Sequence, residues 1–259
     1  MELHRLGMLE PSAFRGDNKF LDQRKPRPDP GVRRNFRDVL YRGREIAESG
    51  LKVNSDDATL LYALSNSFAL EGNYDFMIDR AYFAALRHAN RANGFSRELR
   101  KKHPDFVDAY LIAGVHQYVL GSLPFPVKVL IAFGGMRGDK KKGEAWVAKV
   151  AQEGKIARHE ARTLLALLLR REKKPLEAAA ILSGLMDDFP RNYVIQLELG
   201  SMYLDAGKKE QALATFRDVE KKHHENAPGF ERLTGRALGA LQRKIETLEA
   251  ELKQAKGEA

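Results

Sequence analysis

Cysteine is absent from all 259 residues. That excludes disulfides, thiolate metal sites and cysteine nucleophiles, and leaves both reducing and oxidising compartments open. Strand signals are also missing, with no long alternating β-branched run. Nor is there a long apolar run. The first 30 residues contain no apolar core of a secretory signal. The expectation is therefore a cytoplasmic protein, with an exported or membrane-associated one as the alternative if the native N-terminus is longer. The most apolar region, Ala109–Gly135, is interrupted by His116, Gln117, Pro124, Pro126 and Lys128. A spanning helix needs about 20 continuous apolar residues, so none is expected.

What is present is a chain with a 43% apolar share, enough for a core. Lys and Arg number 44 against 35 Asp and Glu, a net charge of +9. Such an excess suits an acidic partner, an anionic membrane face or nucleic acid. The plainer reading is a solvated surface rich in lysine. Residues 1–32 are polar, proline-containing and aperiodic, and read as a flexible arm. From there on the periodicity is helical.

Internal repetition organises the rest. At a shift of about 34 residues, Leu165 meets Leu199, Ala166 meets Gly200, Leu169 meets Tyr203, Ala178 meets Ala212 and Leu182 meets Phe216. Small residues at Ala166, Gly200, Ala178 and Ala212 let antiparallel helices approach. Large ones at Tyr203, Phe216 and Leu182 fill the space between hairpins. Pro175 suits a first helical turn, Pro190 ends a helix, and Gly207 supplies a tight turn. Over 159–224 the chain resembles the tetratricopeptide repeat family. The expected fold is an all-α, right-handed solenoid of helical hairpins with irregular insertions.

Upstream, Leu64, Ser65, Phe68 and Gly72 have the spacing of a first helix. The next expected proline, Pro104, comes late, which implies an insertion of about 15 residues in the second helix from Tyr74. Gly114 marks another first helix. "NFRDVLYRGREIAESGLKVNSDD" reads as a second helix leading into the array. At the other end Leu238, Leu241, Ile245, Leu248 and Leu252 alternate by three and four, as in a helix that caps the last repeat. The implied organisation is an arm (1–32), irregular hairpins (33–120), an inserted hairpin (121–157), two repeats (158–226) and a capping helix with tail (227–259).

The inserted stretch "GSLPFPVKVLIAFGGMRGDKKKGEAW" has glycines and lysines but neither the spacing of a phosphate-binding loop nor a preceding strand. Pro126 can start a short helix with Val127, Leu130, Ile131 and Phe133 apolar. Gly134 and Gly135 end it, Asp139 caps the next helix, and Trp146, Val147 and Val150 face inward. Ser122–Pro124, Phe133–Asp139 and Gly143 together resemble a motif of the eukaryotic inclusion body clearance protein family. Gly135-Met136 and Glu144 depart from its pattern. That resemblance implies a helical-repeat scaffold, associated in some members with membranes or lipid droplets, and brings no catalytic residues.

Other chemistry is sparse. "HEART" at His159–Thr163 lacks the second histidine of a zinc-protease helix. His223 and His224 are adjacent and splay apart, and His116-Gln117 reads as a hydrogen-bonded interior pair. No metal site, cofactor or catalytic constellation is expected, and the chain reads as non-enzymatic. Between Arg80 and Lys102 seven basic residues interleave with Tyr82, Phe83 and Phe95. A nucleic-acid face could look like this, but the aromatics read more simply as core. Nucleic acid is not the expected partner.

The family resemblance implies an extended peptide bound on the concave first-helix face. Its co-chaperone members grip a terminal carboxylate with lysine, asparagine and arginine. The corresponding positions here hold Tyr62, Asn66, Thr163, Leu164, Leu167, Leu197 and Ser201, and only Asn66 fits such a clamp. The expected binding face is thus apolar, comprising Tyr62, Asn66, His116, Thr163, Leu167, Leu197 and Ser201, and open to a protein segment or to self-association. The alternative expectation is a peripheral contact with an anionic membrane through 123–142, using Phe125, Leu130, Phe133, Lys140, Lys141 and Lys142.

Overall fold

The computed structural model describes residues 27–133 and 137–257, and among them every regular element is helical. The chain divides into two compact units, 1–161 and 162–259, each described here by itself. The flexible arm expected over 1–32 lies mostly outside the described residues. Its last part is already helix.

Unit 1 opens with α1 (Pro30–Val53), whose cap Asp29 accepts hydrogen bonds from the Gly31 and Val32 amides. Proline at N1 follows the rule that the first turn needs no N–H. α1 packs on α2 (Ala58–Tyr74), which pairs with α3 (Tyr82–Lys102). Leu64, Phe68, Ala47 and Ala92 are buried together between these helices. Phe68 stacks on Phe95 at 5.7 Å, and the guanidinium groups of Arg44 and Arg91 stand 3.9 and 4.1 Å from its ring.

The turn of this hairpin differs from the sequence expectation. α2 does not stop at Gly72 but runs on through a π-helical turn, Asp75–Asp79, and reverses at Arg80, whose φ is 52°. The insertion therefore lengthens both helices at their tip rather than the second helix alone. Gly72 is a point of close approach: a Cβ there would lie 3.2 Å from the Ala85 carbonyl oxygen. A second correction follows from the longer tip. Phe95 is in the core, but Tyr82 and Phe83 are exposed, Phe83 to 92%.

An ion ladder fixes α1 against this extended helix. Arg33 and Arg37 reach Asp79 at 2.6 and 3.0 Å. Arg44, buried, pairs with Glu71 at 2.5 Å and donates to the Ser67 hydroxyl and carbonyl. His88 from α3 meets Asp75 at 2.9 Å on the other side. Desolvating these charges is tolerable because each is matched by an opposite one.

The next hairpin is α4 (Tyr110–Ser122) against α6 (Lys140–Glu153), with the short α5 (Phe125–Phe133) between them in the chain. Glycines bring α4 and α6 into backbone contact. A Cβ on Gly143 would stand 2.6 Å from the Gly114 carbonyl oxygen, and one on Gly114 would stand 3.0 Å from that of Gly143. Asp139 caps α6 by accepting from the Lys142 amide at 3.0 Å. Val147 and Val150 are fully buried, whereas Trp146 is half-buried and meets Tyr110 edge-on. Gly134, Gly135 and Met136 lie outside the described residues. Buried Asp108 accepts hydrogen bonds from the amides of Lys155, Ile156 and Ala157 and so shapes the turn that closes the unit.

α7 (Arg158–Arg171) carries the chain into unit 2, which continues with α8 (Pro175–Asp188), α9 (Tyr193–Asp205), α10 (Lys209–His224) and α11 (Gly235–Gly257). Pro175 stands at N1 of α8, and Gly207, with φ +72°, makes the turn between α9 and α10. The corresponding turn one repeat earlier uses Lys173, at φ 58°. Gly200 lets the Phe216 ring lie on α9, since a Cβ would approach it within 2.8 Å at Cδ1. α11 packs along α10, with Leu241, Ile245 and Leu248 buried against Leu213, Phe216 and Val219. Leu238 and Leu252 flank that cluster.

Candidate functional site: the first-helix faces

In unit 2 the two first helices, α7 and α9, carry Thr163, Leu164 and Leu167 on one side and Leu197 and Ser201 on the other, all half-buried. The period of 3.6 puts Thr163, Leu167 and Arg170 on one α7 stripe, and Leu197 and Ser201 on one stripe of α9, with Glu198 next to it, about 60° round the helix from Ser201. An ion pair ties the stripes together: Arg170 Nη1 donates to Glu198 at 3.1 Å, and its Nε donates to Asp205 at 2.9 Å. Leu197 also packs against the α10–α11 core, so part of its surface is already used. The Ser201 hydroxyl donates to the Leu197 carbonyl within α9 and lies flat on its own helix.

In unit 1 the predicted residues sit in a more polar setting. Tyr62 is half-buried against the Phe106 ring at 5.2 Å. Burial pushes its hydroxyl pKa up, and a side-chain hydrogen bond with Asn66 opposes that shift. His116 turns toward α3, where its Nε2 lies 3.1 Å from Asn90 Oδ1. Its Nδ1 is buried with no hydrogen-bond partner. Burial accordingly lowers the His116 pKa. Gln117 is hydrogen-bonded too: it accepts from the Asp139 amide at 3.0 Å and holds the chain returning from α5.

The second candidate region, 123–142, mixes exposed residues with half-buried ones, Leu123 and Lys128 among the latter. Phe125 is 78% exposed and Val129 is 41% exposed. The Leu130 and Phe133 side chains lie outside the described residues. Lys140 is half-buried, and Lys141 and Lys142 are exposed. The Lys142 ammonium stands 4.8 Å from the Trp146 ring. Sequence reasoning missed the neighbouring hairpin tip, where Phe76, Tyr82, Phe83 and Leu86 are all exposed. The available signal was four large apolar residues with no counterpart in the repeat register.

Metal chemistry has no visible seat: among the described residues no three His, Asp or Glu converge as ligands. His223 Nδ1 is engaged with the Phe230 carbonyl oxygen at 2.8 Å. No helix among the described residues is long and apolar enough to cross a membrane.

Stacked antiparallel hairpins, small residues at their crossings and a helix laid over the last one define a helical-repeat protein. A model of the tetratricopeptide repeat family matches residues 169–236, which lie within the second unit. The hairpins of unit 1 use the same glycine and alanine contacts but stand outside the matched stretch, as does the motif over 122–143. No curated protein matches the chain.

Proposed function

We propose that the chain is a non-enzymatic scaffold that holds an extended, largely apolar segment of a partner protein along its first-helix faces. The observation that carries this reading is the unit 2 face. Leu164 and Leu167 of α7 are half-buried, and Arg170, about one turn on from Leu167, is held by Glu198 and Asp205 of α9. A cation so engaged suits an apolar segment better than a terminal carboxylate, which needs free donors. Tetratricopeptide repeats are interaction modules, and the coarse role of binding protein follows from the family.

Selection from a displayed random-peptide library tests the reading. The wild-type protein is expected to enrich segments with apolar residues at regular spacing, and Leu167→Asp is expected to abolish their capture while leaving the thermal transition in place. Leu167 is the better site for this substitution because Leu197 also supports the α10–α11 core. Undiminished capture by Leu167→Asp would remove the proposed face from consideration.

A further inference from the structure

The exposed tip of the α2–α3 hairpin and the short α5 lie at the same end of unit 1. Two hydrogen bonds set the register of α3 against α4: the Ser96 hydroxyl donates to the Ala109 carbonyl at 2.6 Å, and Asn90 meets His116 at 3.1 Å. Moving along α3 toward its start and along α4 toward its end, at about 1.5 Å per residue, brings Phe83 level with Leu123. α5 begins two residues further on, at Phe125. The two most exposed phenylalanines among the described residues, Phe83 at 92% and Phe125 at 78%, therefore project from one end. Phe76 and Tyr82, in edge-on contact at 5.6 Å, stand beside the first, and Val129, one turn on from Phe125, beside the second.

Charge at this end is mostly of one sign. Arg87 lies one turn from Phe83, Lys128 sits within α5, and Arg137, Lys141 and Lys142 follow it. The acids are committed elsewhere. Asp79 holds Arg33 and Arg37, Asp75 is buried against His88, Asp139 caps α6, and Glu144 is half-buried. Among the described residues these apolar side chains form two sets of knobs, Phe76, Tyr82 and Phe83 at the hairpin tip and Phe125 and Val129 on the short helix. Knobs rimmed by cations match a soft interface with an anionic surface layer and apolar material just beneath it. A protein partner would need a complementary cavity for each knob.

We propose that this end of unit 1 docks on an anionic lipid bilayer, with Phe83 and Phe125 entering the headgroup boundary and Arg87, Lys128, Lys141 and Lys142 facing the lipid phosphates. The surface is distinct from the first-helix faces and does not depend on their role. It enlarges the 123–142 contact expected from sequence by adding the hairpin tip, whose aromatics helical spacing alone assigns to the core.

Flotation of the full chain with phosphatidylcholine vesicles, with and without phosphatidylglycerol, tests the proposal. The expected result is co-flotation with the anionic vesicles at low salt, weakened by added salt. Phe83→Ser with Phe125→Ser, and separately Lys141→Glu with Lys142→Glu, should each reduce the bound fraction about tenfold. All four residues are exposed, so both variants should keep the wild-type helical signal and melting transition. Failure to float under any condition would overturn the proposal. So would binding that neither variant weakens, or equal binding to neutral vesicles. Concentration-dependent self-association that Phe83→Ser with Phe125→Ser abolishes, with vesicles ignored, would overturn it in favour of a second copy of the chain.

Discussion

Two single residues show how the same local demand is met at different cost. The turn between the helices of a repeat needs a left-handed residue. Gly207 meets that need without a Cβ, and Lys173 meets it with one. A left-handed non-glycine residue costs about 1–2 kcal/mol. Lys173→Gly is therefore expected to raise unfolding stability by up to about 1 kcal/mol after the entropy of the added glycine. Gly207→Ala should lower it by a similar amount, and urea titration of both variants checks the opposite signs. His116 offers a second residue-level test. Its Nε2 lies against the Asn90 oxygen, and its Nδ1 is buried with no hydrogen-bond partner. Protonation would place an unmatched N–H there, and burial accordingly holds the folded pKa below the unfolded value of 6.5. Above that value both states are neutral, and this histidine contributes no pH dependence. As pH falls below it the unfolded chain takes up the proton first, so stability is lost until the folded pKa is passed. His116→Gln should flatten that part of the stability profile, as measured by denaturant titration across mildly acidic pH.

At the level of the helical element, the α4–α6 pair depends on glycine where helix propensity argues against it. Glycine is about 1 kcal/mol worse than alanine inside a helix. At Gly143 that preference is overruled, because the atom a Cβ would meet at 2.6 Å is a backbone oxygen that cannot swing aside. Gly143→Ala should destabilise the protein by about 1–3 kcal/mol. Gly43, in the middle of α1, has nothing within 4 Å of its would-be Cβ, so Gly43→Ala should stabilise it by up to about 1 kcal/mol. Calorimetry on the pair separates packing from propensity. The same contrast explains which elements can be read from sequence. The repeats over 159–224 are legible because Ala166, Ala178, Gly200 and Ala212 recur in phase with their large partners. The α2–α3 tip is not, because its turn is made by Arg80 in a left-handed conformation, a residue carrying no turn signal. Gly72, which does carry one, sits inside a helix for close packing. Helical spacing alone assigns Tyr82 and Phe83 to the core, because it does not reveal where a hairpin tip leaves side chains exposed. Repeat register proposes the first-helix residues, but contacts such as Asn90 with His116, and the Arg170–Glu198 pair beside them, are set by packing between helices.

For the molecule as a whole, an array of hairpins must end somewhere, and the last one would expose its outer face. α11 covers that face in unit 2 by burying Leu213, Phe216 and Val219 under Leu241, Ile245 and Leu248. Truncation before Ala227 should therefore yield a protein that aggregates, or that loses the cooperative unfolding of its second unit, because terminal repeats need a covering layer to stay soluble. Size-exclusion chromatography with thermal melts checks this. The central claim concerns the face that such an array presents to a partner. Its most direct test is methyl NMR of the leucine-labelled protein titrated with a segment recovered by peptide selection. The account predicts that the Leu164 and Leu167 methyls shift first, with Leu197 following. Shifts confined to Leu176, exposed on α8, or selection that recovers no segment, would contradict it.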